Sequence, residues 1–152
     1  FGTETTIGTT STQDPMFIRW SDQDDFNSWT ATATNSAGSQ RVTGGSKIVT
    51  AVSTRGQILF LTDTSAHGMS FIGAPFTFGF QKLGTNCGAV SPHCAVDISG
   101  IIYWMSSDGF YMFDGTVRKM PCTVEDFVFD NIDKLTNMLC LITKKNYGIL
   151  VV

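Results

Sequence analysis

Apolar and polar residues alternate with a period of two through the middle of the chain. Residues 47–54, KIVTAVST, alternate in this way. Residues 57–63, QILFLTD, form a nearly continuous run of β-forming residues, which is typical of a strand buried on both faces. Residues 64–73 and 74–84 predict a third and a fourth strand. Successive side chains of a strand point to opposite faces, so this period predicts strands and disfavours helix.

The same order of strands then recurs along the chain. HCAVDISG resembles KIVTAVSTRG, IIYWMSSDG resembles QILFLTDTS, and FYMFDGTVRKMPC supplies two more strands. A third copy begins at residues 138–152, and the turn glycines Gly56, Gly100 and Gly148 mark the same point in each copy. A repeat of about 40–50 residues with four strands is typical of propeller blades. The sequence therefore predicts an all-β fold of propeller-like blades of antiparallel sheet.

The repeats divide the chain into three segments. Residues 1–46 are predicted to be an extended N-terminal segment, in which 30–46 form a loop, and residues 47–122 hold the blades. Residues 123–152 are predicted to contain a short helix or turn and the start of the next blade. A ring needs about four to eight blades, so we expect the chain to be a fragment of a larger protein.

The predicted helix interrupts the β pattern. Val124, Phe127, Val128 and Ile132 have helix-like spacing, and Thr123 is a candidate N-cap. We expect this helix to lie between the second and third blades.

The low content of charged residues bears on which classes of function the chain can have. Only 15% of the residues are charged, the net charge is −3, and 12 phenylalanines are present. A dedicated nucleic-acid binder needs several Lys or Arg on phosphates, and no basic patch is present. The longest apolar runs are far below the ~20 residues of a membrane helix. Few charges and many aromatic residues indicate that another chain covers part of the surface.

The stretch FIRWSDQDDFNSW sets three carboxylates, Asp22, Asp24 and Asp25, between Trp20 and Trp29. A calcium loop of the EF-hand type would need a glycine and a glutamate that are missing here. A sugar-binding aromatic platform is a second interpretation. The sequence favours a structural corner, in which Asp side chains accept backbone N–H groups and the tryptophans pack as anchors.

Other candidate chemistry is weak. The four cysteines lack C-x-x-C spacing and are predicted to be buried free thiols. Cys87, His93 and Cys94 do not match a usual zinc spacing. Ser70 follows His67 but does not complete a G-x-S-x-G motif, and His67 is predicted to be structural. We therefore predict no catalytic residue, no metal ligand, no cofactor and no enzyme activity.

An aromatic cluster is the best candidate for an interaction surface. Phe71, Phe76, Phe78 and Phe80 are grouped around Pro75 in the stretch FIGAPFTFGF. Either these rings form part of the core, or they form an interface between subunits, where aromatic anchors supply much of the binding energy.

Four blocks of the chain resemble, in the same order, the tail hub or nozzle proteins of short-tailed bacteriophages, also called packaged-DNA stabilisation proteins. The resemblance covers about residues 10–133. It departs from the family at Thr30-Ala31, where a proline is common, and at Ala74, which precedes Pro75. The blocks are DPMFIRWSDQDDFNSW followed by TATATNSAGSQR, then SFIGAPFTFGFQKLGTNCG, YWMSSDGFYMFDG and PCTVEDFVFDNI.

The resemblance implies a virion structural protein that forms a ring, commonly a hexamer, below the portal and adaptor. Such a ring sits in the phage tail with fibre or spike proteins, and is assembled in the bacterial cytoplasm. The genome passes through its channel during ejection without sequence-specific binding. A carbohydrate-binding propeller, as in a receptor-binding or lectin-like module, is the alternative, and exposed Trp and Asp residues in a pocket of each blade would favour it.

Overall fold

The structure is a computed structural model that describes residues 1–123, 125–131, 142–145 and 148–151. In these residues the chain is mainly antiparallel sheet, with a 3-10 turn at Thr10–Thr12 and a short helix, α1, at Glu125–Asn131. The strands are β1 (Phe17–Trp20), β2 (Gly38–Arg41), β3 (Ile48–Ser53), β4 (Ile58–Thr62), β5 (Ser65–Gly73), β6 (Thr77–Thr85), β7 (Ala95–Ile98), β8 (Ile101–Ser106), β9 (Gly109–Phe113), β10 (Val117–Lys119), β11 (Ile142–Lys145) and β12 (Gly148–Val151).

Two four-stranded sheets form the centre of the fold. The first sheet has the order β3-β4-β5-β6, and the second has β7-β8-β9-β10, so each strand pairs with its neighbours in the chain. All these pairs are antiparallel, and each sheet is therefore a meander. The predicted all-β fold of antiparallel sheets is confirmed. Closure into a ring remains a prediction.

The first sheet packs face to face on the second. Trp104 of β8 is fully buried between them, and its indole N–H donates to the Cys87 carbonyl at 2.7 Å. Tyr111 of β9 stacks on this indole with ring centroids 5.8 Å apart. The buried members of the cluster are Leu59, Leu61, Ala66, Cys87, Ala89, Cys94, Ile102, Trp104, Met105, Phe110 and Phe113.

Equivalent turns of the two sheets lie next to each other. Gly56 and Gly100 adopt φ angles of 97° and 87° in the turns that open β4 and β8, a conformation that favours glycine. The Arg55 side chain comes within 3.7 Å of the point where a Cβ on Gly100 would lie. In the third copy, Gly148 pairs with Lys145 across the β11–β12 hairpin. In each copy of the repeat, the turn glycine thus lies in or next to the turn of an antiparallel strand pair.

A two-stranded ribbon, β1–β2, covers the other face of the first sheet. β2 lies within residues 30–46, which the sequence predicted to be loop. The prediction failed because the residues of β2 are small or polar and have no apolar alternation of their own. They become a strand by pairing with β1, in a register that sets Gly38 opposite Trp20. The cluster under the ribbon contains Met16, Ile18, Val42, Phe60 and Met69.

The predicted short helix is confirmed as α1. Val128 and Phe129 pack against the second sheet, where the rings of Phe129 and Phe110 are 5.8 Å apart. Lys119 of β10 forms an ion pair of 3.0 Å with Glu125 in the first turn. Of the predicted helical and cysteine positions, Val124, Ile132 and Cys140 lie outside the described residues.

Candidate functional site

The loop between β1 and β2 is closed by one carboxylate. Asp22 Oδ1 accepts the Ser36 backbone N–H at 2.7 Å, the Ser36 hydroxyl at 2.6 Å and the Gln23 N–H at 2.9 Å. These bonds, first that from the Ser36 hydroxyl, lower the pKa of Asp22. The Ser36 carbonyl in turn accepts the Thr77 hydroxyl at 3.2 Å. The loop is therefore tied at both ends and attached to the start of β6.

Trp20 joins this corner to the first sheet. Its indole N–H donates to the Ser36 carbonyl at 2.9 Å. Its ring meets Phe78 edge to face, with centroids 5.3 Å apart, and lies 5.8 Å from the ring of Phe80. A Cβ on Gly38 would lie 2.4 Å from Trp20 Cζ2, so the indole occupies space that only glycine leaves open. These contacts hold the loop and the ribbon against the first sheet.

Asp24 and Asp25, the other two aspartates of the stretch, have local roles that differ from that of Asp22. Asp25 Oδ1 accepts the Asn27 N–H at 3.0 Å, an Asx-type turn. Asp24 adopts a φ of 62° in the same loop. Across the described residues, no three His, Cys, Asp or Glu side chains are placed to hold a metal ion. The carboxylate of Asp22 is already committed to the corner.

Trp29 does not pack as the second anchor that the sequence suggested. It lies in the loop rather than in β1, and its side chain is 41% exposed. It lines an open cleft of about 730 Å³ together with Phe1, Ile7 and Arg19. The Arg19 guanidinium donates to the carbonyls of Glu4 at 2.9 Å and of Trp29 at 3.5 Å, which holds the N-terminal segment against the loop.

The four phenylalanines of the aromatic cluster divide into two pairs. Phe78 and Phe80 pack against the buried cluster under the ribbon. Phe71 and Phe76 are 67% and 72% exposed. Phe71 pairs with Phe78 across the hairpin, and the two rings meet edge to face with centroids 5.9 Å apart. We call the exposed residues Phe71, Ile72 and Phe76 the hairpin tip. Phe78 and Phe80 of the aromatic cluster thus pack on the core, whereas Phe71 and Phe76 are at the surface.

A buried polar network under the ribbon contains His67, which the sequence predicted to be structural, and Ser65, which sequence reasoning missed. Ser65 Oγ lies 2.9 Å from His67 Nε2, and both residues are buried. The imidazole stacks on Phe60 with centroids 5.1 Å apart. Burial, and to a smaller extent the charge of Lys82, lowers the pKa of His67, against an opposing effect of the Gly44 carbonyl. The signal was available, since residues two apart on a predicted strand share a face.

The hydroxyl groups of this network converge on one backbone carbonyl. The Ser65 hydroxyl donates to the Gly44 carbonyl at 2.7 Å, because a carbonyl can only accept. Ser65 Oγ and His67 Nε2 lie within hydrogen-bond distance of each other, and the tautomer of the imidazole decides which of them donates. Thr62 Oγ1 donates to the same carbonyl at 2.9 Å. The network fixes the Gly44 loop against the ends of β4 and β5.

The described cysteines are free thiols. Cys87 and Cys94 are buried, and Cys122 is partly buried. Burial raises the pKa of the Cys87 and Cys94 thiols. His93, which lies close to them in the sequence, is exposed, so the three side chains do not form one site.

Comparisons with known proteins add no relatives to this description. No protein-family model matches the chain, and a search of curated proteins found no match. Among the described helical residues, no segment has the length and apolarity that crossing a membrane requires. The geometry of the corner, the cleft and the hairpin tip is therefore the basis for the functional inference.

Replacing Trp20 by Ala is expected to lower the free energy of unfolding by about 3 kcal/mol, since the substitution removes a packed ring and one hydrogen bond. Gly38→Ala tests the same contact from the opposite strand and should also destabilise. Trp29→Ala is the matched control, and a loss below about 1 kcal/mol is expected for its half-exposed ring. Urea denaturation measures all three. A loss below about 1 kcal/mol for Trp20→Ala would place its side chain outside the core.

Replacing Asp22 by Asn should lower the melting temperature more than replacing Asp25 by Asn. The Asp22 carboxylate accepts three hydrogen bonds and that of Asp25 accepts one, and a charged acceptor makes the stronger bonds. Melting curves should be unchanged by calcium or by a chelator. A calcium-dependent rise in the wild type that is lost in Asp22→Asn would overturn the structural interpretation.

Stability should fall as the pH is lowered from 7.5 to 5.5, in part because of His67. Its pKa is lowered in the folded state, so below about 6.5 the unfolded chain binds more protons than the folded one. His67→Gln should flatten this dependence in urea titrations at several pH values. His93→Gln, which removes the other histidine, controls for a general effect of substitution. An unchanged slope in His67→Gln would contradict the assignment.

Proposed function

We propose that this chain is part of a ring-shaped tail hub, or nozzle, of a short-tailed bacteriophage. In this proposal it is a virion structural protein with no catalytic activity and no cofactor. The ring, commonly a hexamer in the family that the sequence resembles, sits in the phage tail between the portal and adaptor and the fibre or spike proteins. It conducts the genome without reading its sequence, and it is assembled in the bacterial cytoplasm.

The observation that carries the proposal is the stacking of two consecutive four-stranded meanders with their equivalent turns side by side. Repeats of this kind bury their faces mainly against their neighbours, so they build long rigid walls. The four blocks that resemble the phage family fall on the structural parts of the fold. They supply the corner around Trp20, the hairpin of β5 and β6, the strands β8 and β9, and α1.

The polar chemistry of the described residues also supports a structural role. The carboxylate of Asp22 and the hydroxyl of Ser65 are both committed to internal hydrogen bonds. No buried side-chain N or O atom of the described residues lacks a hydrogen-bond partner. A catalytic site commonly keeps such a group available for its substrate. A net charge of −3 suits a conduit for DNA, because like charges do not adhere.

A carbohydrate-binding module is the second candidate, and the cleft beside Trp29 is the observation that favours it. The cleft combines exposed aromatic faces with the polar side chains of Glu4, Gln13 and Arg19. Aromatic rings with a few placed polar groups are a common way to bind a small ligand. All three groups are already used, since Arg19 and Gln13 donate to backbone carbonyls and the Glu4 carboxylate accepts the Gly8 N–H at 2.8 Å. This candidate therefore ranks second.

The full-length protein that carries this sequence should form a ring of defined copy number. Light scattering coupled to size-exclusion chromatography should give a mass several times that of one chain, and negative-stain electron microscopy should show a central channel. A glycan array should show no reproducible binding. A monomer at micromolar concentration would contradict the hub proposal, and glycan binding that Trp29→Ala abolishes would favour the carbohydrate module.

A further inference from the structure

The β5–β6 hairpin ends in a tip whose apolar side chains are mostly exposed among the described residues. Phe71, Ile72 and Phe76 are 67%, 56% and 72% exposed. We propose that this hairpin tip inserts into the interfacial layer of a lipid bilayer, so that the protein has a membrane-binding surface. The inference goes beyond the proposed hub and does not depend on it.

The hairpin tip projects beyond β4, the neighbouring strand of the first sheet. The pairing of β4 with β5 ends at Ile58 opposite Met69. β5 and β6 continue to pair with each other as far as Gly73 opposite Thr77. The four residues after Met69, at about 3.3 Å each, carry the hairpin about 13 Å past the last pair of β4. Interfacial segments bury their apolar face about 5–10 Å deep, so this projection is long enough.

The tip also lacks the groups that make insertion into lipid costly. Residues 64–81 contain no Asp, Glu, Lys or Arg. Within residues 71–77, FIGAPFT, the only polar side chain is that of Thr77, and its hydroxyl donates to the Ser36 carbonyl at 3.2 Å. Charged and unpaired polar side chains are the expensive ones in an apolar medium. Insertion to interfacial depth leaves the backbone groups of the turn within reach of water.

The area of the tip favours lipid over a protein partner. An aromatic side chain buries about 150–250 Å² when it is fully covered, so the exposed side chains of the tip offer on the order of 350 Å². A stable protein interface covers about 800 Å² on each partner. Phe78 and Phe80, the other aromatic residues of the hairpin, pack under the ribbon and cannot add to this area. Lipid sets no such minimum, because binding strength scales with the apolar area inserted.

Flotation of the full-length protein with phosphatidylcholine vesicles tests the inference. The wild type should float with the vesicles, and Phe71→Ser/Phe76→Ser should bind at least about tenfold more weakly, because both exposed rings are lost. Phe26→Ser is the matched control, since Phe26 is 77% exposed but follows Asp25 in an acidic loop, and it should bind like the wild type. Circular dichroism and melting curves first establish that the variants are folded.

A conservative variant and a change of salt separate insertion from other causes of binding. Phe71→Trp/Phe76→Trp keeps two aromatic rings, which membrane interfaces favour, and should retain vesicle binding. Binding should be equal at low and high salt, and anionic lipid should not strengthen it, because residues 64–81 carry no charged side chain of the four kinds named above. Binding that high salt removes would reveal electrostatic attraction elsewhere on the surface and would contradict the inference.

A photo-crosslinker identifies what covers the tip. Benzoylphenylalanine in place of Phe76, irradiated in the full-length protein with vesicles present, should add the mass of one phospholipid. The same probe in place of Phe26 should add none. If the probe in place of Phe76 reaches protein only, whether a second copy or another part of the full chain, a protein surface covers the tip and the inference is wrong.

The outcomes separate this inference from the proposed function. A folded wild type that forms rings but does not float with vesicles would overturn the inference and leave the hub proposal standing. Equal flotation of the wild type and Phe71→Ser/Phe76→Ser would overturn it as well. A monomer that binds vesicles through its tip would support the inference and overturn the hub. Flotation that depends on the tip, together with lipid crosslinks from the probe in place of Phe76, is the supporting result.

Discussion

The fold depends on burying the first sheet on both faces at once. In β4, Leu59 and Leu61 point toward the second sheet, whereas Phe60 between them points toward the β1–β2 ribbon, and all three are fully buried. Fully burying an apolar side chain of this size contributes about 1.5–3 kcal/mol. Neither neighbouring layer can be removed without exposing one of these faces, so ribbon, first sheet and second sheet stabilise one another.

The chemistry of the corner follows from that requirement. A ribbon whose second strand is GSQR has little apolar surface with which to hold itself on the sheet. Asp22, Ser36 and Trp20 supply what is missing, through hydrogen bonds that close the loop and a ring that reaches Phe78. The residues that look most like a binding motif in the sequence are therefore used to attach one layer to the next.

The polar and the aromatic groups of this fold differ in how far they are exposed. The polar groups that would ordinarily suggest chemistry, including the Ser65–His67 pair, are buried and hydrogen-bonded within the fold. The exposed aromatic groups lie instead at the hairpin tip and in the cleft beside Trp29. Exposed aromatic groups of this kind are common where a protein contacts another molecule.

The sequence by itself determined the strands of the two four-stranded sheets, their repeat and the short helix, because alternation of apolar residues and turn glycines are local properties of the chain. It also identified the stretch from Trp20 to Trp29 and the aromatic cluster as the places of interest. Tertiary structure alone decided that GSQR becomes β2, that Trp20 packs while Trp29 does not, and that Phe78 is covered while Phe76 is exposed. The physical reason is that pairing and burial depend on which distant segment covers a residue, and a local pattern carries no record of that partner.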